Sequence, residues 1–106
     1  MVVSVDGRPE YDWAVSTGRA GHRTPEGNFR PTWLDINHHS NKYDNSPMPY
    51  SIFFNGGIAI HGTEYVRSLG GAASHGCVRL HPANAAILYS LVQRYGRENT
   101  AIHIQG

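Results

Sequence analysis

The sequence predicts a mainly β domain, a mixed β-sandwich with one helix packed near its C-terminus. Three observations support this fold class. Short segments with strand-like patterning alternate with Gly- and Pro-containing turns, a single segment has helical periodicity, and a strand-like segment follows it. With 106 residues, the chain is long enough to bury one core, so residues 1–106 are assigned to a single domain.

The first predicted elements form a hairpin. Met1–Val5 has the pattern of a short strand, and Asp6-Gly7 is a strong signal for a two-residue hairpin turn. Tyr11–Ser16 is predicted as the return strand. Further along, Thr24-Pro25-Glu26-Gly27 suits a type I turn, because proline is favoured at the second position and glycine at the fourth.

The middle of the chain combines an irregular stretch with a second hairpin. Residues 31–50 have little periodicity, and a run of that length in a small domain is more typical of a functional loop or lid. Ser51–Phe54 and Ile58–His61 are predicted strands joined around Asn55-Gly56-Gly57, and Glu64–Ala73 is predicted to be a second loop. The aromatic side chains expected in the core are Trp13, Trp33, Phe53 and Phe54.

The C-terminal part contains the predicted helix, Pro82–Tyr95, with proline at the first helical position. Its apolar residues recur with the spacing of one helical face, at Leu88, Leu91, Val92 and Tyr95. Gly96 follows as a natural C-cap, and Thr100–Ile104 is predicted as a closing strand.

Composition argues against several classes of partner. The formal net charge of +1 gives no electrostatic basis for binding nucleic acid. The single cysteine cannot form an internal disulfide, and no apolar run approaches the ~20 residues that span a bilayer. No signal peptide is recognisable, and the abrupt start favours a fragment that lacks its export signal.

Residues 74–80, with the sequence Ser-His-Gly-Cys-Val-Arg-Leu, gather the chemically reactive groups of the chain. A free thiol has a pKa near ~8.5 and is mostly protonated at neutral pH, so a nucleophilic Cys77 needs a base. In an extended chain His75 would lie about 6–7 Å from Cys77 along the strand, too far for a hydrogen bond. His61, at the end of a separate strand, can approach from the side, and we assign it as the base.

Neighbouring residues suit the same chemistry. Gly76 lets the backbone turn so that its own amide and that of Cys77 can face a developing oxyanion. Arg79 lies two residues past the thiol, shares its face in an extended chain, and can hold a carboxylate with two hydrogen bonds. A helix beginning near Pro82 adds a modest field that favours the thiolate if its N-terminus points at Cys77.

His61-Gly62-Thr63, followed after a Gly-containing loop by residues 74–80, closely resembles the signature of the L,D-transpeptidase catalytic domain, the YkuD-type family. Three further stretches are similar to the same family: Ser16-Thr17-Gly18, residues 24–29 and residues 48–60. The resemblance covers nearly the whole chain, from about Val2 to about Val92.

The resemblance implies a transpeptidase that acts on peptidoglycan stem peptides and needs no metal or other cofactor. Its thiolate would attack the carbonyl of an L-configured residue, typically the diamino acid of a tetrapeptide stem, expel the terminal D-alanine and form a thioester. An amine from another stem would then resolve the thioester and give a cross-link. Acylation of the same thiol by a β-lactam of the carbapenem class is also expected.

Carried over residue by residue, the resemblance makes Cys77 the nucleophile and His61 the general base, oriented by the carbonyl of Gly62. The amides around His75, Gly76 and Cys77 would form the oxyanion hole. Ser74 is expected to hydrogen-bond the local backbone rather than to react. The residues expected to contact the substrate are Arg79, Ser74 and Tyr50, with Tyr43 as a further groove residue.

Two expectations concern the parent protein. Family domains usually begin with an additional strand upstream of the first hairpin, and this chain starts at what resembles the second strand. Either the chain is truncated or another segment substitutes for that edge, and an edge strand left unpaired would invite pairing with another chain. The family's substrates lie outside the cytoplasmic membrane, so we expect a periplasmic or cell-wall-associated protein.

Three other functions remain open at this stage. An L,D-carboxypeptidase would form the same thioester and let water resolve it. A thiolate–histidine metal site would use His61, His75 and Cys77, although three ligands without a second thiol or a carboxylate make a weak zinc site. A non-catalytic peptidoglycan-binding module would keep the fold without needing the thiol or its base.

Overall fold

A computed structural model describes residues 1–40 and 46–105 of the chain. Those residues form ten strands, one α-helix and two 3₁₀ turns, which confirms the predicted fold class. The strands are β1 (Val2–Val5), β2 (Arg8–Asp12), β3 (Thr17–Gly18), β4 (Gly27–Phe29), β5 (Trp33–Ser40), β6 (Ser46–Asn55), β7 (Ile58–Gly62), β8 (Ala72–Ser74), β9 (Val78–Leu80) and β10 (Ile102–Ile104). The helix α1 spans Pro82–Tyr95, and the 3₁₀ turns span Val66–Ser68 and Arg97–Asn99.

The scaffold is a four-stranded sheet with the order β5-β6-β7-β9, in which β7 and β9 are parallel and the other neighbours antiparallel. Helix α1 packs against one face of this sheet. The main core consists of apolar side chains from the strands and the helix, namely Ile52, Phe54, Ile60, Val78, Leu80, Ala85, Leu88, Tyr89 and Val92. Two-stranded sheets formed by β1-β2, β4-β10 and β3-β8 surround the scaffold.

Helix α1 has the predicted bounds because both of its ends carry strong signals. Pro82 is its first residue, and Nδ1 of His81 accepts a hydrogen bond of 3.1 Å from the amide of Ala83. At the other end, Gly96 has a φ of 90°, a conformation that glycine tolerates and that stops the helix. The helix therefore begins immediately after β9, close to the end of β7.

The prediction of an irregular stretch is wrong for residues 33–40 and 46–50, which belong to strands in the described part of the chain. Strands β5 and β6 pair in an antiparallel register, with Trp33 opposite Phe53 and Asn37 opposite Pro49. Pro47 and Pro49 are residues typical of loops, which is why the sequence indicated a loop here. In the structure, the part of β6 that carries them pairs only with β5, because β7 pairs with β6 from Ile52 onward. A proline is tolerated on a strand whose other side has no partner. The expectation for Tyr43 lies outside the described residues.

Two strand boundaries also differ from those predicted. The return strand of the first hairpin is β2, Arg8–Asp12, rather than Tyr11–Ser16. Asp6 and Gly7 both have positive φ, 51° and 81°, so the turn uses only those two residues and Val5 pairs directly with Arg8. The closing strand is shorter than expected, because the amide of Thr100 bonds to the carbonyl of Arg97 before β10 begins.

The aromatic residues expected in the core separate into two groups. Phe53 and Phe54 are buried and Trp13 is half-buried, whereas 44% of Trp33 is exposed. Trp33 lies on β5 at the edge of the sheet, and its ring stacks on Phe53 with centroids 4.3 Å apart. The expectation that Trp33 is a core residue is therefore wrong.

Replacing Leu80 with alanine is expected to lower the free energy of unfolding by about 2–5 kcal/mol, because the side chain is fully buried between the sheet and α1. Urea unfolding followed by circular dichroism measures the change. Ile87→Ala is the matched control, since this aliphatic residue of α1 is 37% exposed and its replacement should cost less than about 0.5 kcal/mol. Equal losses in the two variants would contradict the packing described.

Candidate active site

The face of the central sheet that points away from α1 forms the floor of a cavity of about 990 Å³. Side chains alternate along each strand, so Ile60 and Val78 point to the helix while His61 and Arg79 point to the opposite face. The residues of the candidate site that line this cavity are His61, Ser74, His75, Cys77 and Arg79. The structure therefore brings together the thiol, both imidazoles and the guanidinium predicted from the sequence.

His61 is a buried side chain of the site that its neighbour Gly62 holds in place. It lies on β7 and is only 6% exposed. Its Nδ1 lies 2.7 Å from the carbonyl oxygen of Gly62. Because a carbonyl can only accept a hydrogen bond, Nδ1 must carry the proton, which leaves the lone pair on Nε2. His61 is thus prepared to accept a proton at Nε2.

Gly62 has a second role in the position of His61. A Cβ atom at this residue would lie 3.2 Å from the Cα of Pro82 and 3.3 Å from the Cγ of Pro49. The absence of a side chain therefore lets the end of β7 approach the start of α1 closely. This contact fixes the carbonyl that holds the imidazole of His61.

Cys77 immediately precedes β9, and its thiol is partly enclosed by apolar side chains. It packs against the buried cluster of Met48, Phe53 and Ala59. The amide of Ala59 donates a hydrogen bond of 3.5 Å to Sγ. Ala59 and His61 are two residues apart on β7 and thus face the same side of the sheet.

Within residues 1–40 and 46–105, the hydrogen bond of the thiol goes to Ala59 and not to His61. Contacts between a nucleophile and its base are often long in a free enzyme and shorten in the substrate complex. The thiol and the imidazole therefore line the same cavity without a hydrogen bond between them in the free protein.

The electrostatics of the site favour an uncharged pair. Burial lowers the pKa of His61 from 6.5 to about 4; the hydrogen bond to Gly62 opposes this shift, while the charges of Arg79 and His38 add to it. Burial also raises the pKa of the Cys77 thiol, although the Ala59 amide and Arg79 offset part of that effect. At neutral pH the site therefore contains a thiol and a neutral imidazole.

The lowered pKa of His61 has a consequence for stability. The unfolded chain binds a proton at this residue near pH 6.5 and the folded chain only near pH 4, so its contribution is complete above pH 6.5 and is lost as the pH falls toward 4. When the pH falls from about 7.5 to 4.5, the free energy of unfolding should drop by about 2–3 kcal/mol more in the wild type than in His61→Gln. Urea unfolding at both pH values measures this, and parallel losses would contradict a buried neutral His61.

Ser74 and Gly76 determine the shape of the loop that carries the thiol. Ser74 is fully buried, and its Oγ donates a hydrogen bond of 2.5 Å to the carbonyl of Cys77. The same oxygen accepts a hydrogen bond of 3.1 Å from the amide of Gly76, whose φ is 127°. Ser74 therefore hydrogen-bonds the backbone of its own loop, as expected. Its expected contact with the substrate stays a prediction.

This arrangement also changes the expected oxyanion hole. The amide of Gly76 already has an acceptor in Ser74 and is not aimed into the cavity as a donor. In the described part of the chain, no hydrogen bond engages the amide of Cys77. The amide of Cys77 is thus a donor that this loop can offer to an oxyanion, whereas the amide of Gly76 is already engaged.

His75 and Arg79, which were predicted close to the thiol, both line the cavity. The ring of His75 lies edge-on to His22 at a centroid distance of 5.0 Å. The guanidinium of Arg79 lies 5.9 Å from the centre of the Tyr65 ring, a cation–π distance. The positive charge of Arg79 is therefore held at the cavity wall beside His61, its partner in the β7–β9 register.

Tyr50 lies elsewhere. Its ring packs edge-on against Tyr89 with centroids 5.7 Å apart, and it contacts the main core. A φ of 56° at Tyr50 turns the backbone of β6 at this position. Tyr50 does not line the cavity that contains Cys77, so this placement does not support the expected substrate contact, which stays a prediction.

Sequence reasoning missed one wall of the cavity. Trp33 and His38 of β5, with Phe53 of β6, form an aromatic group in which His38 is edge-on to both other rings. All three line the cavity. The only signal for this wall would have been the β5–β6 register, which the prolines of β6 obscured.

Two further features of the described residues concern metals and membranes. No three His, Cys, Asp or Glu side chains among them lie close enough together to hold a metal ion. No helix in the same part of the chain combines the length and the apolar character that crossing a bilayer requires.

A thiol, a neutral imidazole and a cationic side chain on one cavity wall define a candidate site for cysteine-dependent acyl transfer. Comparison with protein families agrees with that class. The model of the YkuD family, the L,D-transpeptidase catalytic domain, matches residues 1–104. The chain therefore belongs to the L,D-transpeptidase catalytic domain family. No curated protein matches the chain.

Solved structures of L,D-transpeptidases have the same fold. The enzyme from Stackebrandtia nassauensis is 30% identical, with a TM-score of 0.84 over 99% of this chain and 49% of its own. The enzyme from Mycobacterium smegmatis is 24% identical, with a TM-score of 0.85 over 99% of this chain and 53% of its own. LdtMt1, solved in complex with imipenem, is 25% identical, with a TM-score of 0.77 over 85% of this chain and 48% of its own. The chain spans about half the length of these proteins.

Proposed function

We propose that the chain catalyses peptidoglycan L,D-transpeptidation through a thioester on Cys77. The observation that supports the proposal is that the thiol of Cys77 lines the same cavity as a buried, neutral His61, whose Nδ1 is held by Gly62 and whose Nε2 carries the lone pair. Membership of the L,D-transpeptidase family supports the reaction class. Peptidoglycan stems as substrates, and a periplasmic or cell-wall location, belong to the same proposal.

The first step is acylation. Nε2 of His61 takes the thiol proton as Sγ of Cys77 attacks the carbonyl of the L-diamino acid that precedes D-alanine. Because the thiol is protonated at rest, attack and proton transfer occur together rather than from a stored thiolate. The tetrahedral oxyanion accepts a hydrogen bond from the amide of Cys77. Collapse breaks the peptide bond, and His61 returns the proton to the amine of the departing D-alanine.

The second step is transfer to an acceptor. The amine of a second stem attacks the thioester carbonyl, His61 accepts a proton from that amine, and the Cys77 sulfur leaves and is reprotonated. A new amide bond replaces the thioester, so no other reactant is consumed. Arg79, at the cavity wall beside His61, suits a carboxylate of the donor or acceptor stem.

Incubation of the purified protein with a synthetic tetrapeptide stem and an amine acceptor tests the proposal by mass spectrometry. We expect free D-alanine and a cross-linked peptide. Release of D-alanine with only a tripeptide product would identify an L,D-carboxypeptidase instead. A folded protein that binds the stem but releases no D-alanine would be the non-catalytic module, and the proposal would be wrong.

A further inference from the structure

We propose that Thr24 is a positioning residue that aims the backbone amide of Cys77 at the oxyanion. The inference rests on the proposed acyl transfer and adds a residue to it. Thr24 lies 52 positions before Gly76 in the chain, but its hydroxyl donates a hydrogen bond of 2.7 Å to the carbonyl of Gly76. The side chain of Thr24 is buried, and the contact is closed off from solvent.

Geometry of the peptide unit links this carbonyl to catalysis. The carbonyl of Gly76 and the amide of Cys77 belong to one planar, trans peptide group, so they point in opposite directions. A hydrogen bond that holds the carbonyl against Thr24 therefore fixes the direction of the amide. That amide is adjacent to the nucleophilic sulfur of the same residue, where the oxyanion develops.

The other polar groups of the loop are committed elsewhere. Oγ of Ser74 accepts from the amide of Gly76 and donates to the carbonyl of Cys77. Ser74 thus fixes the peptide groups on either side of the Gly76–Cys77 unit but does not contact that unit itself. The orientation of the oxyanion donor depends on Thr24.

The hydroxyl of Thr24 is itself held in place. Its Oγ1 accepts a hydrogen bond of 3.0 Å from the amide of Gly18, so its single proton is directed to Gly76. The backbone of Gly18 lies so close to that of residues 22–24 that a Cβ atom at Gly18 would be 1.8 Å from the carbonyl oxygen of His22. The amide of Arg19 also donates a 3.0 Å hydrogen bond to the carbonyl of Ser74. Residues 17–24 therefore pack closely together and support the loop that carries the thiol.

The test compares two reactions of the same thiol. Acylation by a carbapenem such as imipenem passes through an oxyanion and needs the Cys77 amide, whereas alkylation by iodoacetamide occurs at a saturated carbon and does not. We expect Thr24→Val to slow acylation about 10- to 100-fold, as misdirection of an oxyanion donor does, and to change alkylation less than about threefold. Thr24→Ser keeps the hydroxyl and should recover acylation to within about threefold of the wild-type rate.

Ser16→Ala is the matched control. Ser16 is a fully buried hydroxyl that donates a 2.6 Å hydrogen bond to the carbonyl of Ser68, but it does not contact the Gly76–Cys77 peptide. The Ser16→Ala variant should have the same ratio of acylation rate to alkylation rate as the wild type. Wild-type acylation rates in Thr24→Val, or an equal loss of both reactions, would overturn the role of Thr24. A wild-type protein that imipenem does not acylate would refute the proposed function instead.

A measurement on the wild type covers the case in which Thr24→Val fails to fold. Nuclear magnetic resonance of the ¹⁵N-labelled protein before and after acylation reports which amide gains the oxygen contact. We expect the largest downfield proton shift at the amide of Cys77 and a small one at Gly76, which Ser74 already occupies. A large shift at Gly76 and none at Cys77 would overturn the inference.

Discussion

Replacement of Cys77 with alanine is expected to lower the release of D-alanine from a tetrapeptide stem by about 10⁵- to 10⁶-fold, to the background rate, as loss of a covalent nucleophile does in other acyl-transfer enzymes. The physical reason is that no thioester can form and no other thiol exists in the chain. D-alanine release measured by mass spectrometry follows the loss. Because the thiol only lines a cavity wall beside Met48, Phe53 and Ala59, its removal should shift the thermal midpoint by only a few degrees, roughly 1 kcal/mol.

Cys77→Ser sharpens this experiment. The hydroxyl fills nearly the same space but ionises far less readily than a thiol, so the neutral His61 cannot activate it efficiently. We therefore expect Cys77→Ser to be almost as inactive as Cys77→Ala. A folded Cys77→Ala variant that retains more than about one tenth of the wild-type rate would contradict the assignment of the nucleophile.

Replacement of His61 with glutamine is expected to lower the acylation rate by about 10²- to 10⁴-fold, the range for loss of a general base. The thiol pKa is raised by burial, so little thiolate is present at neutral pH without a base to accept the proton. The pH profile should also change. Acylation by the wild type should reach a plateau above the low pKa of His61, whereas acylation by His61→Gln should keep rising with pH as the thiol ionises.

His103→Ala is the control for this variant, since His103 is an exposed histidine of β10 outside the cavity. It should acylate at the wild-type rate. If His61→Gln and His103→Ala had the same rate and the same pH profile, His61 would not be the base.

The sequence predicted the scaffold well where local signals agree with the fold. The two-residue turn at Asp6-Gly7 and the capped helix Pro82–Tyr95 were both correct, because their determinants lie within a few neighbouring residues. The antiparallel pair of β5 and β6 was missed because its determinants are not local. Pro47 and Pro49 are usually loop residues, and only the absence of a β7 partner along that part of β6 makes them compatible with a strand.

For the site, two short motifs were enough to predict that Cys77, His61 and Arg79 line one cavity, because the strands that carry or follow them, β7 and β9, are parallel neighbours. The hydrogen bonds within and around the loop were not predictable in the same way. Whether the amide of Gly76 faces the cavity or Ser74 depends on φ and on a buried hydroxyl. The contact of Thr24 with Gly76 joins residues 52 positions apart, and no periodicity or spacing indicates it.

Peptide mapping by mass spectrometry, after the wild-type protein is incubated with imipenem, shows whether a Cys77 thiol activated by His61 attacks a carbonyl to form an acyl-enzyme. We predict a single adduct on the peptide that contains Cys77, formed in the wild type, slowed in His61→Gln and absent in Cys77→Ala. A folded wild-type protein that stays unmodified, or that carries the adduct on another residue, would contradict the account.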